Sequence, residues 1–265
     1  TITFDPSLLI DFLKLLQSCK LDSDFFIYDV YGATIGALIS QKLTDDQTRQ
    51  ILEISFADFN QLISSNVFVA YMEKLITSLK TNGLNAKSIE LVESRASDLI
   101  LSLSKLLKSP SHESREVVLG LIISIFSKSG QEIPDAVLTC RIIEQIPLTL
   151  QHARDVPLRF RTLAQDYTAQ TPLTNNIVSN FLFGQLSNKF SPSWQGVQEF
   201  LEKTVNQMSD LVWKIALEFI SCNYRSLNEI PYLEYDFDDF QTKSDVSNWL
   251  PQDKRLHGIM INFEE

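Results

Sequence analysis

Between Ile89 and Leu107, apolar residues recur at intervals of three and four: Ile89, Val92, Ala96, Leu99, Ile100, Leu103, Leu106 and Leu107. Each residue advances about 100° around an α-helix, so this spacing gathers all eight into a single stripe that can be buried on one side. The same period returns along most of the chain. Leu8, Leu9, Phe12, Leu15, Leu16 and Cys19 form one such stripe; Tyr31, Ile35, Leu38 and Ile39 form another; Met72, Leu75, Ile76 and Leu79 form a third. A chain written in this period cannot settle as strands, whose side chains alternate with a period of two. Only eight glycines and nine prolines punctuate its 265 residues, too few for the regular turns of an all-β protein. The fold class is all-α.

Start and stop signals divide the chain into helices. Asp5-Pro6, Thr44-Asp45-Asp46-Gln47, Ser109-Pro110-Ser111, Thr171-Pro172 and Ser191-Pro192 each offer a capping side chain, a first-turn proline or both. Asn82-Gly83 and Gly130 are stop signals. The resulting helices run from about Pro6 to Cys19, Phe25 to Ser40, Thr44 into a short helix, Asp58 to Thr81, and then along the 89–107 stripe. Glu113 to Ser127 follows, apolar nearly all round and therefore expected at the centre of the array. After it come Pro134 to Ile146, Leu158 to Tyr167, Pro172 to Phe190, Pro192 to Asn206 and Ser209 to Cys222. Gly32 and Gly36 stand in a small-xxx-small spacing that lets helix backbones approach closely.

About ten antiparallel helices joined by short turns bury their stripes by stacking pair on pair, as a HEAT/armadillo-like helical-repeat solenoid does. No fixed period is visible, so the repeat is degenerate, and a compact irregular bundle is the other architecture open to this pattern. The array spans residues 1–223. Residues 224–265 are acidic and less regular, with nine acids against four bases. There, Tyr232, Tyr235, Phe237 and Phe240 alternate with carboxylates: either an arm that docks its aromatics on a partner, or a linker that packs them on its own domain.

The formal charge of −10 repels a polyanion, so basic or protein partners fit better than RNA, whose direct contact would be minor. Cys19, Cys140 and Cys222 are far apart within apolar patterns and read as reduced core residues. The longest apolar run, Val117 to Phe126, is too short to span a bilayer. With no basic segment followed by a cleavage site near Thr1, the chain is expected inside the cell, and its first residue, not a methionine, allows it to be a piece of something longer.

Reaction motifs do not emerge. His112, His152 and His257 occur singly, without carboxylates or cysteines at ligand spacing, and no phosphate loop, nucleophile elbow or zincin pattern is present. No catalytic, cofactor-binding or metal-ligating residues are assigned, and no small-molecule substrate or cofactor. The one local basic cluster is Arg154, Arg159 and Arg161, with His152 beside it. These arginines can hold RNA phosphates, carboxylates of a neighbouring protein, or acids of their own fold such as Asp155 and Asp166.

The densest stretch is Ile177 to Trp194, IVSNFLFGQLSNKFSPSW. Its aromatic-apolar helix with Gly184-Gln185-Leu186, then Lys189-Phe190-Ser191-Pro192-Ser193-Trp194, and later Leu211-Val212-Trp213, resembles a segment of the down-regulated-in-metastasis family. That resemblance covers about 40 residues. It implies an internal piece of a very large, non-enzymatic helical-repeat scaffold of the small-subunit processome, where it would brace assembly proteins and precursor ribosomal RNA in the nucleolus. Gly184 would then let a neighbouring helix approach, and the aromatics would lock one pair on the next. A helical-repeat adaptor for nuclear transport or trafficking, binding basic cargo, is the alternative that the acidic charge suggests.

Overall fold

A computed structural model describes residues 5–18, 25–80, 85–167, 171–188 and 190–228. Among them lie eleven α-helices: α1 (Pro6–Ser18), α2 (Phe25–Ile39), α3 (Asp45–Ala57), α4 (Phe59–Leu62), α5 (Asn66–Ser78), α6 (Ala86–Ser104), α7 (His112–Lys128), α8 (Asp135–Glu144), α9 (Asp155–Asp166), α10 (Pro172–Leu186) and α11 (Ser191–Asn228). Short 3-10 turns at Lys105–Lys108 and Leu150–His152 complete the order, and no strand occurs among the described residues.

The helices pack as a two-row ladder. In one row α2 lies on α5, α5 on α7, α7 on α8 and α8 on α9; in the other α1 lies on α3, α3 on α6, α6 on α10 and α10 on α11. Rungs between the rows join α1 to α2, α6 to α7, α8 to α10 and α9 to α11. Up to α7 the chain alternates between rows, as helical-repeat pairs do. Beyond α7 the order changes: α8 and α9 follow one another in the same row, and α10 and α11 return along the other. The turn from α8 to α9 falls in the loosened pattern between Pro147 and Phe160, where Pro147 cannot continue α8 and Pro157 sits in the first turn of α9.

The caps act as their chemistry requires. Thr44 Oγ1 accepts from the Gln47 amide at 3.3 Å while Gln47 Oε1 accepts from the Thr44 amide at 3.0 Å, a reciprocal capping box. Asp5, Ser111 and Thr171 cap α1, α7 and α10. Central α7 packs against α5, α6 and α8 and buries Val118, Leu119, Leu121, Ile122, Ile125 and Phe126. In the α6 stripe Val92, Ala96, Leu99, Ile100, Leu103 and Leu107 are buried, with Ile89 and Leu106 at its half-buried edges.

Ring contacts run across the first half. Phe56 of α3 meets Phe59 of α4, Phe59 meets Phe68 of α5, and Phe68 meets Tyr31 of α2, all edge-on with centroids 5.9–6.0 Å apart. Gly32 makes this approach possible, since a Cβ there would stand 2.5 Å from the Phe68 amide nitrogen.

Three helix boundaries differ from the periodicity. The helix expected from Asp58 to Thr81 is two, α4 and α5. The Ser65 hydroxyl accepts from the Phe68 amide at 3.1 Å and donates to Asp29 at 2.6 Å, so a serine inside an apolar run starts a new helix. The 89–107 helix tightens to 3-10 geometry from Lys105, drawing Leu107 toward α10. Conversely, the helices expected at Pro192–Asn206 and Ser209–Cys222 form one, α11, of 38 residues. The polar run from Asn206 to Asp210 lowers hydrophobicity but contains neither glycine nor proline, so nothing in the backbone forces a break. The Asn82-Gly83 stop signal lies outside the described residues.

Candidate functional site

Two features carry the polar chemistry of the array: a buried ion pair at its centre and an open groove where the row order changes.

Arg115, in the first turns of α7, is fully buried, with Glu144 at the end of α8 opposite it, 2% exposed. The guanidinium reaches Glu144 through Nε and Nη2 at 2.7–3.1 Å, Asn188 Oδ1 through Nη2 at 2.9 Å, and the Ser109 and Gly184 carbonyls through Nη1 at 2.6 and 3.3 Å. These partners match all five N–H donors of an arginine. Glu144 also accepts from Gln185 and pairs with His112 Nδ1 at 2.6 Å, while Asn188 donates to Gln185 at 2.8 Å. Glu144 thus leaves no lone pair stranded, as a buried carboxylate requires. The network ties α7, α8, α10 and the segment between α6 and α7 into one unit. It is saturated by the protein itself, so its work is architectural.

Sequence spacing concealed it. His112 reads as a lone surface histidine because its carboxylate partner is 32 residues away. Gly184 is where the resemblance places a close approach: a Cβ there would meet the Leu107 carbonyl oxygen, and the Arg115 Cδ at 2.9 Å. Phe181 stacks on Phe160 with centroids 6.5 Å apart, and Phe160 also lies over Gly196 of α11. These aromatics do lock neighbouring helices. The tryptophans contribute less: Trp194 is half-buried with its indole nitrogen enclosed and without an acceptor, and Trp213 is 65% exposed.

Cys140 is buried in α8, and burial, with Glu144 one turn away, pushes its thiol well above the usual range, which keeps it protonated and inert. No cluster of three or more metal-ligating side chains occurs among the described residues.

The three arginines diverge. Arg161 forks onto Glu199 of α11 at 2.7 and 3.2 Å, an acid other than the neighbours Asp155 and Asp166. That hydrogen bond, with the attraction of the two charges, raises the arginine's pKa and lowers the carboxyl's. Arg154 and Arg159 are exposed, Arg154 before α9 and Arg159 in its second turn. Arg159 edges an open groove of about 330 Å³ between α8 and α9. Ile142, Ile146, Pro147 and Leu158 supply its apolar lining; Gln145, His152 and Asp155 share the polar edge with Arg159. The His152 ring is held by Thr149 at 2.8 Å. Tyr232, Tyr235, Phe237 and Phe240, the expected docking arm, lie outside the described residues.

Over 218 residues, 82% of its length, the chain is 29% identical to U3 small nucleolar RNA-associated protein 20 of Saccharomyces cerevisiae. It spans 8% of that protein. No family model matches the chain. None of the described helices is long and apolar enough to cross a membrane.

Proposed function

We propose that this chain is a structural segment of a helical-repeat scaffold that works in small-subunit ribosome assembly, in the nucleolus, as a member of the down-regulated-in-metastasis family. The observation that carries this reading is the similarity, along four fifths of the chain, to a protein associated with U3 small nucleolar RNA. The packing supports the scaffold part. Conserving shape in such an array falls to residues like Arg115, Glu144 and Gly184, which fix how one pair sits on the next without facing a substrate. The segment acts without catalysing a reaction and binds assembly proteins, with direct RNA contact a minor part of an acidic surface.

The test is purification of the full-length protein from its own cells at moderate salt, with sequencing of the RNA that accompanies it. Small-subunit ribosomal precursors are expected to be enriched over large-subunit ones. Equal recovery of both would overturn it, and recovery of import factors or coat proteins without precursor RNA would overturn it in favour of the transport adaptor.

A further inference from the structure

Five of the twelve large apolar side chains exposed among the described residues fall between positions 138 and 158: Leu138, Ile142, Leu148, Leu150 and Leu158. Leu150 is 91% exposed. Scattered surface leucines need no explanation, but Ile142 and Leu158 of this set line the α8–α9 groove together with Ile146 and Pro147, and an apolar groove left open to solvent marks an interaction site. Unlike the exposed stripes of α1 and α11, it lies within the ladder, where α8 and α9 already have their row neighbours.

The positive charges beside it are all arginine. From Ser129 to Asn188 the sequence contains four arginines and no lysine. Arg141 lies 4.0 Å from Glu73 and Arg161 is taken by Glu199. Arg154 and Arg159 stand next to the patch with no ion pair among the described residues, and Asp155, at the positive N-terminus of α9, is the acid between them. Arginine suits carboxylates, which it grips as a planar fork. The floor does not suit nucleic acid: bases stack best on large aromatic rings, and this lining has no Phe, Tyr or Trp, on a chain of net charge −10.

We infer that the α8–α9 groove receives an amphipathic helix from another protein, aliphatic on the face that enters the groove and carrying Asp or Glu beside that face to meet Arg154 and Arg159. Two neighbouring helices with an apolar trough between them are the usual receptor for a third, read through anchors at i, i+3 or i+4, and i+7.

The inference goes beyond the ribosomal reading and stands without it. The experiment places the photocrosslinker p-benzoylphenylalanine at Leu150 or Leu158 of the full-length protein in its own cells, with exposed Ser97 on α6 as the control position, and sequences the crosslinked peptides. Adducts are expected on one protein segment with apolar residues at helical spacing and acids beside them. Arg154→Glu combined with Arg159→Glu is expected to cut the yield at Leu158 about tenfold, and changing the partner's acids to lysine to restore it. Leu150→Asp, at a position too exposed to affect folding, is expected to lower it as well. Adducts to RNA, to another part of the same polypeptide, to a second copy, or to a peptide without acids would overturn the inference, as would no adduct at all. A partner from outside ribosome assembly would sink the proposed function and leave this one intact.

Discussion

Arg115 shows how a single residue can be decisive yet invisible in a linear reading. In sequence it is a basic residue near a helix start, between Ser114 and Glu116, where solvation is the default. Burial makes its charge costly, and only the complete set of partners from α8, α10 and the turn before α7 offsets that cost. Removing one member leaves the other charge buried and unmatched. Arg115→Met is therefore expected to lower stability by about 3–5 kcal/mol, measured by denaturant unfolding, with Glu144→Met similar. The double variant should lose less than the sum of the two; strict additivity would mean that the pair is not coupled. Arg161 and Glu199 are the exposed contrast. Glu199 is held below the usual carboxylate range by its hydrogen bond from Arg161, so the pair's contribution is present above the unfolded carboxyl's pKa of about 4.3 and is lost as pH falls through the lower folded value. In Arg161→Ala the Glu199 titration, followed by NMR, should move up toward that ordinary range, and an unmoved midpoint would assign the shift elsewhere.

At the scale of elements, Gly184 and Trp194 separate what a motif says about packing from what it says about burial. A Cβ at Gly184 would meet the Leu107 carbonyl, which is backbone and cannot rotate aside. Gly184→Ala should cost about 1–3 kcal/mol, seen as a lowered Tm. Trp194 is only half-buried, so Trp194→Ala should fall near 1–2 kcal/mol, short of the roughly 3–5 kcal/mol that emptying a buried tryptophan site costs. A loss at the upper figure would show that the indole is more enclosed than its exposure indicates. Periodicity revealed most of the helices because burial on one face imposes it. It failed at Ser65, where a cap hides within an apolar run, and at Asn206 to Asp210, where a polar run has no breaker. The groove was half legible: Arg154 and Arg159 stand out in sequence, whereas its apolar walls read as ordinary core until α8 and α9 are seen side by side. The Arg115 network was not legible at all, because Arg115 lies 29 to 73 residues from its partners Glu144, Gly184 and Asn188 and meets them only when the rows close.

For the whole molecule, the ladder means that most helices touch only the next helix in their own row and one across it. Stability in such an array is close to a sum of local terms and neighbour interfaces, so damage should spread only as far as the interfaces are stiff. Gly32 lies at one end, against the backbone of α5. Gly32→Ala should force α2 off α5 and accelerate amide hydrogen exchange in α1 to α5, while α9, α10 and α11 keep their protection. The centre should behave otherwise, because Arg115, Glu144, Gln185 and Asn188 fasten three helices from both rows at once. Arg115→Met is therefore expected to raise exchange in α7, α8 and α10 together, by similar factors. The two variants compared under the same conditions separate a ladder with one stiff joint from a compact bundle. In a bundle, a lesion at either place lowers protection everywhere by the same free energy, and uniform acceleration in the Gly32 variant would be the result that rejects the ladder.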